Sequence, residues 1–95
     1  MSNDGLKENV REFVVSSFKE MNYDTEDLTC DTILGPAGMD LDSLGIAEIA
    51  VRVEDTYGAK FFEDEMERVG IMTLDEFVTE IAARVQPSKI AGEPG

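Results

Sequence analysis

A chain of 95 residues suits one small domain with one modest core, and 42% apolar residues supply enough material to fold it despite 31% charged ones. With no histidine and one cysteine, a histidine-based triad, an internal disulfide and most zinc sites are excluded, and no metal site is expected. A net charge of −13 repels nucleic acid and anionic membranes and suits partners with basic docking surfaces; the bland alternative is that the charge serves solubility alone.

From about Asp4 to Met21, the residues Leu6, Val10, Phe13, Val14, Phe18 and Met21 recur on one helical face, with Lys7, Glu8, Arg11, Glu12 and Lys19 opposite. This predicts a first helix. Asn22 to Leu41 has no sustained period and holds the breaker cluster Gly35-Pro36-Ala37-Gly38. So long a loop in so small a domain needs anchors, and Leu28, Ile33, Leu34, Met39 and Leu41 are the candidates.

A second helix is expected from Ser43 to about Tyr57, with Asp42 as N-cap and Gly58 as its stop. Leu44, Ala47, Ile49, Ala50, Val53 and Tyr57 give it apolar faces, while Gly45 weakens its first turn by roughly 1 kcal/mol relative to alanine. Phe61 to Val69 reads as a short third helix, entered through an aromatic pair that plugs the core and ended by Gly70. Thr73 and Glu76 form a capping box for a last helix, along which Leu74, Phe77, Val78, Ile81 and Val85 recur. The tail from Gln86 reads as disordered. The predicted fold is therefore all-α, a four-helix bundle with a short third helix and a long first loop.

Chemistry has few places to reside. Asp40-x-Asp42 with Glu48 faintly evokes a calcium loop, but the position that needs a bidentate glutamate is Val51. Cys30 has no histidine partner and lies beside Asp31, which discourages its thiolate. The glycine cluster lacks the lysine and length of a phosphate loop. Ser43 remains: at the mouth of a helix its hydroxyl sits beside unpaired backbone N–H groups and the positive helix end.

The run Gly38-Met39-Asp40-Leu41-Asp42-Ser43-Leu44, followed by Glu48 and closed by Tyr57, resembles the attachment site of acyl carrier proteins. Met72-Thr73-Leu74-Asp75-Glu76-Phe77-Val78 is similar to that family's closing helix, and the resemblance extends from the first helix to about Val85. It implies a carrier domain over residues 1–86 with a tail at 87–95, and a 4'-phosphopantetheine carried on Ser43. The arm's thiol would hold acyl intermediates as thioesters for polyketide- or fatty-acid-type biosynthesis. The chain would be no enzyme itself. Lacking a base of its own, it would depend on a phosphopantetheinyl transferase to supply both base and Mg²⁺.

Asp42 would cap the helix or orient that metal. The expected docking face is Leu44, Ala47, Glu48, Val51, Glu54 and Asp55, presented to acyl-loading, synthase and tailoring enzymes. Ala47 and Val51 have core burial as their alternative, and Arg52 reads as a solvated charge or a local ion-pair partner. Asp40 stands where many family members have glycine, Gly45 replaces a polar residue, and Phe61-Phe62 replaces Ile-Pro. These departures favour a natural-product carrier over the housekeeping fatty-acid one. An aminoacyl or peptidyl carrier, or an unmodified acidic helical adaptor, is the alternative. A lone cysteine, no signal-peptide pattern after Met1 and no run of roughly 18 apolar residues point to a cytoplasmic setting, and the charge to a monomer.

Overall fold

The apolar stripe of the first segment folds as α1, Asn3–Glu20, and places Val10, Val14 and Phe18 wholly inside. The computed structural model describes residues 3–85, so Gln86 and the expected tail at 87–95 lie outside the described residues. α1 ends one residue short of Met21. Asn22 turns left-handed at φ 71°, the Tyr23 amide donates to the Phe18 carbonyl at 2.9 Å, and the Asn22 amide donates to Lys19 at 3.0 Å. This is the paired closure that stops a helix, and its usual apolar contact is present as Tyr23 standing edge-on to Phe18, ring centres 6.4 Å apart.

The loop that follows is held by backbone as well as by side chains. Leu34 and Leu41 are buried and Leu28 and Met39 pack partly against the core, whereas Ile33, expected as a further anchor, is half-buried and is held through its backbone bridge to Thr73. The Leu34 amide donates to the Met72 carbonyl at 3.0 Å, Gly35 to Gly70 at 2.9 Å and Leu74 back to Thr32 at 2.8 Å. A Cβ on Gly35 would lie 2.2 Å from the Gly70 oxygen, so only glycine fits this approach. Among the described residues there is no strand; a single antiparallel bridge joins Ile33 to Thr73.

α2 spans Ser43–Tyr57 with both expected caps. Asp42 is extended and its Oδ1 accepts from the Gly45 amide at 2.8 Å; Gly58, at φ 73°, donates to the Glu54 carbonyl. Losing a cap of this kind costs about 1 kcal/mol. Ile46, Ile49, Ala50, Val53 and Tyr57 form the inward face. The Tyr57 hydroxyl donates to Asn9 Oδ1 at 2.7 Å, and burial raises its pKa, so it stays a donor that ties α2 to α1.

The third segment departs from expectation in two respects. Phe61 is buried beside Phe77, ring centres 5.5 Å apart, but Phe62 is 57% exposed, so one aromatic plugs the core rather than two. Glu63–Glu65 form a 3₁₀ turn, and α3 then runs Met66–Ile71 through Gly70 instead of stopping at it. Gly70 is inside because its carbonyl receives Gly35 and its missing side chain leaves room for Ile46.

Arg84 fixes the approach to α3. Its guanidinium binds Glu65 through two bonds of 2.7 and 3.1 Å, reaches Glu80 at 3.1 Å and the Lys60 carbonyl at 3.0 Å, and lies 4.3 Å above the Phe61 ring. α4, Leu74–Arg84, starts at the reciprocal Thr73–Glu76 cap and buries Leu74, Phe77, Val78 and Ile81. α1 packs chiefly on α4, with α2 on α1 and α3. The described chain is thus all-helical, four α-helices around one core.

Candidate functional site

The start of α2 gathers most of the residues singled out in the sequence. Ser43 is exposed and is the first helical residue. Because the Asp42 carboxylate takes the capping bond to Gly45, the serine hydroxyl is left without that task. No protein acceptor is found for the Ser43 and Leu44 amides among the described residues, whereas those of Gly45 and Ile46 both go to Asp42. The result is an exposed hydroxyl beside two free donors at the positive end of a 15-residue helix.

Gly45 is explained by what lies beneath it. A Cβ there would come within 2.6 Å of the Tyr23 hydroxyl and 2.9 Å of Leu41 Cδ2. The notch serves close packing of the first loop under α2, at the expense of some helix propensity.

Leu44, Ala47, Glu48, Val51, Glu54 and Asp55 all lie exposed on one long face of α2, so core burial does not hold for Ala47 or Val51. Leu44 is 77% exposed and Val51 63%. Arg52 is the local ion-pair partner: its Nη1 donates to Glu20 at 2.8 Å and its Nε to Glu48 at 3.0 Å, bonds that raise its pKa further. Lys60 approaches Glu54 at 4.0 Å.

Beside Ser43 opens a cleft of about 380 Å³ between α2, α3 and the first loop. Pro36, Leu41, Ile46, Met66 and Ile71 give it apolar walls, and Asp42, Ser43 and Glu67 its polar groups. Sequence reading did not place Met66 or the 72% exposed Ile71 here, because a six-residue helix is too short to show a period. A wider groove of about 540 Å³ along α3 and α4 excludes Ser43 and is lined largely by charged residues, so size alone does not mark the site.

The sequence has no histidine, Cys30 is an isolated exposed thiol, and among the described residues no cluster of three potential metal ligands occurs. No helix among them is long and apolar enough to cross a membrane. No family model matches the chain, and neither the curated proteins nor the solved structures searched contain a match.

Proposed function

We propose that this protein is an acyl carrier protein in which Ser43 receives 4'-phosphopantetheine. The observation that carries the reading is the division of roles at the start of α2: Asp42 caps the helix, and the neighbouring serine is exposed and uncommitted. The residues fit a phosphate there, since the Ser43 and Leu44 amides offer donors at a positive helix end.

In the modification, Ser43 Oγ attacks the phosphorus of coenzyme A that bears the pantetheine. A new P–O bond forms to the serine, the pyrophosphate bond breaks, and 3',5'-ADP leaves. The serine proton passes to a base on the transferase, which also supplies Mg²⁺, because the chain has no histidine and the adjacent Asp42 carboxylate is engaged in capping the helix. When attached, the arm supplies a thiol that carries an acyl group as a thioester.

This chain's own part is delivery. The stripe Leu44, Ala47 and Val51, flanked by Glu48, Glu54 and Asp55, meets the basic docking surfaces of loading, synthase and tailoring enzymes, and Ser43 stands at one end of that stripe. The protein acts as a cytoplasmic monomer in a polyketide-type pathway.

Intact mass after incubation with coenzyme A, Mg²⁺ and a broad-specificity phosphopantetheinyl transferase tests the reading. Wild type gains one phosphopantetheine and Ser43→Ala gains none, with circular dichroism unchanged. No gain on a folded wild type, with an active transferase control, favours the unmodified adaptor.

A further inference from the structure

Glu48 sits in the middle of the exposed face of α2, one turn from Leu44 and close to both Ala47 and Val51. It is the acid nearest to Ser43 along that face. Yet it is already paired, and its cation is held from a second side: Arg52 bonds Glu48 at 3.0 Å and Glu20, at the end of α1, at 2.8 Å. Arg52 is therefore tethered between two helices. The other acids of the face are freer. Glu54 meets Lys60 only at 4.0 Å, with both side chains about half exposed, and Asp55 has no ion pair among the described residues.

We infer that Arg52 is an internal competitor for Glu48, which weakens the attraction of this face for a basic partner at the end where Ser43 must be reached. The inference rests on the carrier reading. A partner's lysine or arginine that approaches Glu48 meets a cation already in place, and must displace it or share the carboxylate. Like charges brought together in this way oppose docking. Attraction is then strongest near Asp55, and a partner that relies on Glu48 is selected against unless its own cation outcompetes Arg52. Arg52 is a specificity-determining residue and does not touch the reacting atoms.

The test measures kcat/KM for phosphopantetheine transfer from coenzyme A by a basic, broad-specificity transferase, at low and high salt. Wild type is compared with Arg52→Gln, Lys19→Gln and the double variant Arg52→Gln/Glu48→Gln. Lys19→Gln removes the same charge beside Glu20 without touching Glu48. Arg52→Gln is expected to raise kcat/KM about two- to fivefold at low salt, the range that an exposed ion pair can supply. The gain should shrink at high salt, be absent in Lys19→Gln and vanish in the double variant, while urea midpoints confirm folding. Equal gains in Arg52→Gln and Lys19→Gln would reduce the effect to net charge, and a slower Arg52→Gln would make Arg52 a partner contact; either overturns the inference. An unmodified wild type defeats the carrier reading and this inference together, whereas a modified wild type with an unchanged Arg52→Gln defeats this inference alone.

Discussion

Two adjacent residues, Asp42 and Ser43, show how one position frees another. Capping needs a side-chain oxygen one residue before the helix, and the aspartate supplies it. Two residues earlier, Asp40 takes φ 67°, a left-handed backbone that costs a residue with a Cβ roughly 1 kcal/mol. Asp40→Gly is therefore expected to stabilise the protein by about 0.5 kcal/mol, because relief of that strain outweighs the greater freedom glycine gains in the unfolded chain. Urea unfolding at neutral pH checks it; a lower midpoint would mean that the Asp40 side chain supports the turn.

Among the elements, α3 is the one least able to stand alone. Six residues cannot sustain a helix by propensity, so its placement depends on ties at both ends. Gly35 holds Gly70 at one end, and Arg84 holds Glu65 at the other. The hydrogen bonds from Arg84, with the Phe62 amide, lower the Glu65 pKa from 4.5 to about 2. A depressed carboxylate pKa stabilises the fold above its unfolded value and loses that contribution as pH falls through the folded one. The deficit of Glu65→Gln relative to wild type should be constant above about pH 4.5 and shrink towards pH 2. Urea midpoints of both proteins across that range decide it, and a deficit independent of pH would show that the pair contributes nothing as a charge.

At the scale of the whole molecule, the fold carries a net charge of −13 with few cations to offset it. Arg11, Arg52, Lys60 and Arg84 each lie within 4.0 Å of a carboxylate, but these pairs are at least partly exposed. Exposed pairs contribute little, whereas repulsion among the surplus acids extends over the surface. Sodium chloride raised from 0.1 M to 1 M shortens the screening length from about 10 Å to about 3 Å, so the urea midpoint is expected to rise. A fall would show that the ion pairs outweigh the repulsion.

Local chemistry made much of this protein legible. The periods of α1 and α4, the Asp42 cap with its Gly58 stop and the Thr73–Glu76 box all act within a few residues, and they stand in the structure where the chain suggests them. Ser43 was legible for the same reason, as the residue after a cap. Contacts distant in sequence decided the rest. α2 has apolar residues on two sides, and only packing against α1 and α3 determines that Ile46, Ile49 and Val53 go in while Leu44 and Val51 stay out. Phe61 and Phe62 are alike in the sequence; proximity to Phe77 and Arg84 selects the first. The glycines divide in the same way. Gly58 is a local stop, but Gly45 answers to Tyr23 and Gly35 to Gly70, neighbours that no window along the chain contains. Sequence by itself thus determined where helices start and most of where they end, because caps and periods are short-range. Tertiary structure alone decided which surfaces are core and which stay exposed, because burial depends on what the other elements bring to each face.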